Sequence, residues 1–260
     1  MTHPASPTTD PCRGRVDVWV QPVASPGARA DRQPSRAEAM DGVLRTALAH
    51  YFGPGGPRYP GDLEPSGDGR FTLGGPDDPL RITTATTESA VMAAFSRHAE
   101  LGLHGAALAR PVRWQILAER YLTVAELSIL LSVPPGQARR RFLQLWSLKC
   151  ACASAGKDPL LTRTEGLQLR INRAGCISIK VVDDAAVPDG PDFSTDWSLA
   201  QFELSGGLLV SGCIRLPAVV ANTFRFLRAE PDGQTSLLQP TAYLRSQPRY
   251  TAFGGLPGRA

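Results

Sequence analysis

The chain has little of several things that would assign it a function at once. It contains only three lysines, four histidines and three methionines. No run of about 18 apolar residues occurs, so no membrane-spanning helix is expected. The opening residues, MTHPASPTTDPCRGR, lack the apolar centre of a secretory signal. The expected location is therefore the cytoplasm, with no membrane partner. Cys12, Cys150, Cys152, Cys176 and Cys213 are odd in number and fit no zinc spacing, because Cys150-x-Cys152 lacks a second ligand pair. They read as reduced thiols. His3, His50, His98 and His104 share no metal-ligand spacing, and no G-x-S-x-G nucleophile elbow is present. Asp183-Asp184 reads as a solvated turn. No enzyme, metal or cofactor is expected.

Glycine (25) and proline (23) are abundant, which suggests ordered segments separated by loops. A net charge of +4 is too small to indicate nucleic acid. Its distribution says more. Between Ala106 and Lys180, nine Arg and three Lys stand against three Glu and one Asp, a local +8, so the remainder carries −4. Such a surplus is the footprint of a phosphate-binding module.

The most informative stretch is Tyr121 to Trp146, YLTVAELSILLSVPPGQARRRFLQLW. Thr123 and Glu126 form a capping box, T-x-x-E, which starts a helix. Val124, Leu127, Leu130 and Leu131 follow at helical spacing. Pro134 and Pro135 cannot continue that helix but suit the first turn of another, from about Pro135 to Leu148. Ala138, Phe142 and Leu145 form its apolar stripe. Gln137, Arg140 and Gln144 occupy another face. Three consecutive arginines span roughly 200° of a helix, so Arg140 is the groove-facing candidate, and Arg139 and Arg141 reach sideways to phosphates. Arginine can bind guanine bidentately and glutamine can bind adenine.

This stretch resembles the helix-turn-helix of bacterial DNA-binding proteins, on Leu122 to Leu127, Leu131-Ser132-Val133 and Gln137 to Phe142. The resemblance covers about 26 of the 260 residues. It implies that Leu127, Leu131, Val133 and Ala138 are core positions, that Ser128 sits where the helices cross, and that the second helix is the recognition helix. Ser132 stands at the turn position that glycine usually holds.

Around this centre, residues 1–14 read as a disordered tail. Residues 15–100 read as a small α+β region. It has a strand at Arg15 to Val20 and a helix opened by the Ser35/Glu38 capping box. A Gly/Pro-rich loop follows at 53–68, then a hairpin around Gly74 to Asp78, and a helix from Thr86 or Thr87 to about Glu100. Another helix is expected over Ala106 to Arg120. Leu167 to Ile171 and Cys176 to Val182 read as strands joined by the turn at Asn172 to Gly175. A hairpin at that place is the expected wing, so residues 106–182 read as a winged helix-turn-helix, with Arg163, Arg170 and Arg173 as further DNA-contacting candidates. Short alternating runs over 193–255 read as a β-rich module. That part faintly resembles the PilZ-type barrel of cyclic-di-GMP receptors, on Arg170-x-x-Arg173, Glu203 to Leu208, and Phe224 to Gly233. It departs from that pattern in arginine spacing, in Glu203 for Asp or Asn, and by one residue before the second glycine.

The fold class expected is α+β. The function expected is sequence-specific binding of double-stranded DNA by a transcriptional or replication regulator of bacterial, phage or plasmid type. A second copy of the chain is a further candidate partner. The DNA-contacting set is Gln137, Arg139, Arg140, Arg141, Gln144, Arg163, Arg170 and Arg173. Two alternatives stand beside it. One is a winged-helix protein-interaction adaptor that binds no DNA, which would show itself by engaging Arg139 to Arg141 with acidic side chains of the same chain. The other is a regulator whose β module senses a nucleotide such as cyclic-di-GMP.

Overall fold

A computed structural model describes residues 15–23, 35–53, 70–73, 80–97, 100–155, 167–171, 176–181, 197–215, 223–229 and 235–246. The fold is α+β. In chain order the elements are β1 (Arg15–Pro22), α1 (Arg36–Phe52), β2 (Arg70–Leu73), β3 (Leu80–Thr86), β4 (Ala90–Ser96) and β5 (Glu100–Ala107). Three helices follow: α2 (Trp114–Tyr121), α3 (Val124–Ser132) and α4 (Pro135–Ala155). The rest is β6 (Leu167–Ile171), β7 (Cys176–Val181), β8 (Trp197–Leu204), β9 (Leu208–Arg215), β10 (Thr223–Ala229), β11 (Thr235–Leu238) and β12 (Ala242–Ser246).

Two six-stranded sheets form, ordered β11-β10-β1-β4-β3-β2 and β5-β9-β8-β12-β7-β6. Period-two alternation assigns their faces. In β1, Val16, Val18 and Val20 point between the sheets, where they meet Met92, Leu103, Val210 and Phe226. Trp19 points the other way, into a cluster with Val43, Leu44 and Leu48 of α1. The outer face of the second sheet meets Leu130, Phe142, Leu148 and Cys152 of the helices through Leu169, Leu199 and Cys213. The layers are thus α1, first sheet, second sheet, then α2 to α4.

Sheet membership does not follow the expected division at 15–100, 106–182 and 193–255. The first sheet takes β1 to β4 but also β10 and β11, with β10 parallel to β1. The second takes β5, then β6 to β9 and β12. The β6–β7 hairpin is not a free wing. It forms one edge of the second sheet, because β7 pairs onward with β12. The expected tail, the glycine-rich loop beyond Gly53, Arg163, Arg173 and the wing turn lie outside the described residues.

One expected helix is a strand, and another begins later than expected. Thr87 does not cap a helix. Its hydroxyl accepts from the backbone N–H of Ser89 and Ala90 at 3.2 and 2.9 Å and closes the tight β3–β4 turn. The run after it, AVMAAF, is buried on both faces of a sheet centre, so no period-two signal survives. Gly102 and Gly105 are strand positions that other groups approach closely. A Cβ at Gly102 would overlap the Ala151 carbonyl oxygen, and one at Gly105 would press on Met92 and Thr87. β5 therefore replaces the start of the expected 106–120 helix, and α2 begins only at Trp114. The hairpin of β2 and β3 and the capping-box helix α1 form as the sequence pattern implies.

Candidate functional site

The break between α3 and α4 is where the prolines require it. Val133 is extended (φ −85°, ψ 154°), and α4 starts at Pro135. No described non-glycine residue has positive φ, so Ser132 does not adopt the left-handed turn a glycine would permit. The Thr123/Glu126 capping box is present. Its glutamate has a second task. Glu126 is fully buried and faces Lys149 of α4, also buried, at 2.6 Å. Oε2 also accepts from the backbone N–H of Thr123 at 2.7 Å, and Oε1 from that of Leu169 in β6 at 2.7 Å. Lys149 Nζ donates to the Tyr121 carbonyl at 3.0 Å. One carboxylate thus ties α3 to α4 and to the second sheet.

That burial sets the rotation of α3, and it departs from the helix-turn-helix expectation. Glu126 and Leu130 face inward. Leu131, expected in the core, is 78% exposed, Val124 is 80% exposed, and Ser128 lies outside rather than at a helix crossing. Leu127, Val133 and Ala138 do pack on the core as the resemblance implies.

α4 reaches two turns beyond the expected end and lies on the second sheet. Arg140, Gln144, Ser147 and Ala151, at i, i+4, i+7 and i+11, form one face, and each meets a strand. Arg140 is ion-paired with Glu203 of β8. The Gln144 carbonyl accepts from Gln201 Nε2 at 2.9 Å. Ser147 and Ser211 hydroxyls meet at 2.8 Å, and the Ala151 backbone sits on Gly102. Two positions of the face expected to read bases, Arg140 and Gln144, thus also meet the second sheet, whereas Gln137 stays exposed. Arg139 does not reach sideways to solvent. Its guanidinium donates to the carbonyls of Leu108 and Arg110 in the β5–α2 loop. Arg141 is half-buried, and burial lowers its pKa. Gln137 is exposed in the first turn of α4, Gln144 is half-buried, and Arg170 is exposed on β6.

The structure places Arg170 and Glu203, which carry the PilZ resemblance, on β6 and β8, with β7 and β12 between them. Glu203 is already paired with Arg140. Residues without a motif complete the arrangement. Gln201 Nε2 also donates to the hydroxyls of Ser147 and Ser211 at 3.0 and 2.9 Å, and no described partner meets its buried Oε1. His104 pairs with Ser211 across β5 and β9, on the face shared with Gly102 and so toward α4.

Burial lowers the His104 pKa to about 4 from its usual 6.5. The imidazole is neutral at pH 7, and the unfolded chain binds more protons between the two values. Stability should therefore be complete above pH 6.5 and fall as pH drops toward 4, by at most about 1.4 kcal/mol per unit. Denaturant melts at pH 7.5, 6 and 5 check this. His104→Asn should flatten that part of the profile.

Among the described residues, no group of His, Cys, Asp or Glu is placed to hold a metal ion, and no helix is long and apolar enough to cross a membrane. No protein-family model and no curated protein matches the chain.

Proposed function

We propose that this chain is a protein-interaction adaptor, in which a helix-turn-helix pair is built into a two-sheet sandwich and does not read DNA. The observation that carries the reading is the contact of Arg140 with Glu203. The residue best suited by sequence to enter a groove is held by an acidic side chain of the same chain. The rest of its face continues onto Ser211 and Gly102, so lifting α4 into a major groove would strip it from its own core. The rotation of α3 agrees with this, since it leaves Val124 and Leu131 outside.

The competing reading is sequence-specific DNA binding. It is favoured by the exposure of Gln137 and Arg140 at the start of α4, the part of a recognition helix that meets base edges. Anisotropy titrations against a random 30-base-pair library, with selection of any enriched site, separate the two. The adaptor should bind duplex DNA only non-specifically, with Kd of about 10⁻⁴ to 10⁻⁶ M at physiological salt. Arg140→Ala and Arg173→Ala should leave any sequence preference unchanged. An enriched site bound a thousandfold better than random DNA, and lost in Arg140→Ala, would restore the DNA reading.

A further inference from the structure

We infer that Cys152 of α4 and Cys213 of β9 are a redox-responsive pair, which a small disulfide such as oxidised glutathione closes into a covalent lock between helix and sheet. The lock acts on α4 whatever the chain binds, so it stands apart from the adaptor reading. Both thiols are free, fully buried and members of one cluster.

The course of α4 over β9 brings them together. Helix and strand advance in the same direction. Arg140 meets Glu203, whose register partner on β9 is Leu209. Ser147 then meets Ser211 through the hydroxyls at 2.8 Å, so two one-carbon side chains span the gap between the elements. From there Cys213 is two residues on, on the same face of β9, and Cys152 is five residues on along α4. Both steps advance about 7 Å. The strand neighbour of Cys213 is Gly102, and the backbone of Ala151 and Ala155 rests on that glycine. Burial raises the Cys213 pKa, and a hydrogen bond with the Cys152 sulfur raises it further. Cys150 is two residues from Cys152, roughly 200° round the helix, and cannot share its face.

The surroundings suit a disulfide. Among the described residues no third metal-ligating side chain joins the two sulfurs. Leu148 and Leu199 of the same cluster favour an uncharged product over thiolates. One cysteine thiolate attacks the small disulfide and expels its first thiolate. The second cysteine sulfur attacks the mixed disulfide and expels the other. Two protein S–H bonds break and one S–S bond forms. The two electrons leave with two reduced small thiols and the protons pass to solvent. At 0% exposure both cysteines are shielded while α4 is seated, so the resting state is the dithiol and oxidation waits for the helix to lift.

The test treats the full chain with oxidised glutathione, once folded and once during refolding from urea, which opens the core to the oxidant. Intact mass should fall by two hydrogen atoms, and peptide mapping should link Cys152 to Cys213. The linked chain should melt about 5–10 °C above the reduced one, and a reductant should reverse the rise. Cys152→Ala and Cys213→Ala should each abolish the rise, whereas Cys150→Ala should keep it. The inference is overturned if neither treatment yields the link, if the link runs to another cysteine, or if the linked chain melts no higher than the reduced one.

Discussion

Glu126→Gln should lower the unfolding free energy by about 3–5 kcal/mol, the usual cost of removing one partner from a buried ion pair. The local geometry places it in that range. The two carboxylate oxygens accept from four donors: the Thr123 N–H and hydroxyl, the Leu169 N–H and Lys149 Nζ. Glutamine offers one acceptor oxygen, and its NH₂ would face a donor in either orientation. Lys149, at 1% exposure, would also lose the carboxylate that it faces at 2.6 Å. In a chain of this size the melting temperature should drop roughly 8–15 °C. Lys149→Met alone should also destabilise, but the double variant should recover part of the loss, because neither charge is then left alone. Urea melts of the parent, both single variants and the double variant give the coupling energy. A loss under 1 kcal/mol for Glu126→Gln would mean that the pair does not join α3 to α4 and β6. The rotation that exposes Val124 and Leu131 would lose its cause.

Local events were legible in the sequence because their causes are local. The two capping boxes, the Pro134-Pro135 break, the β2–β3 hairpin and the alternation of β1 each follow from residues within one turn or one strand of each other. Pairing across the chain was not. β1 joins β10, whose Arg225 meets Asp17 at 2.7 Å from 208 positions away, and nothing near either residue announces it. Gly102 of β5 admits the backbone of α4, a contact that no local pattern marks. The arginine cluster could not be read in space for a related reason. The +8 between Ala106 and Lys180 counts sequence neighbours, whereas Glu88 and Glu203 come from outside that window to pair with Arg110 and Arg140. A clue did exist in α4. The stripe begun by Arg140 and Gln144 continues through Ser147 and Ala151, small residues that suit close contact with a sheet. Glu126 carried no such clue, since a capping glutamate has the same spacing whether exposed or buried.

Gly102→Ala should have the other large effect, and it bears directly on whether α4 is free to read DNA. The added methyl would overlap the Ala151 carbonyl oxygen and would lie 2.6 Å from Ala155 N and 2.8 Å from Ala155 Cβ. The first two are backbone atoms of α4, so no flexible side chain can turn aside. The helix must lift from β5 or the strand must bend. Overpacking a core by a methylene typically costs about 1–3 kcal/mol, and a clash against the backbone of α4 should reach or exceed the top of that range. Gly136→Ala supplies the internal comparison. It lies in the first turn of the same helix, with nothing within 4 Å of the new methyl, so it should be neutral or stabilising by up to about 1 kcal/mol. Gly212→Ala should fall between them, because its Cβ would meet the Phe224 ring at 2.7 Å, and a ring can shift. The expected order of urea midpoints is Gly136→Ala at or above the parent, then Gly212→Ala, then Gly102→Ala. If Gly102→Ala unfolds with the parent, α4 is not seated on β5. The face of Arg140 and Gln144 would then be open to a groove, and the DNA reading would regain the ground that the Glu203 contact takes from it.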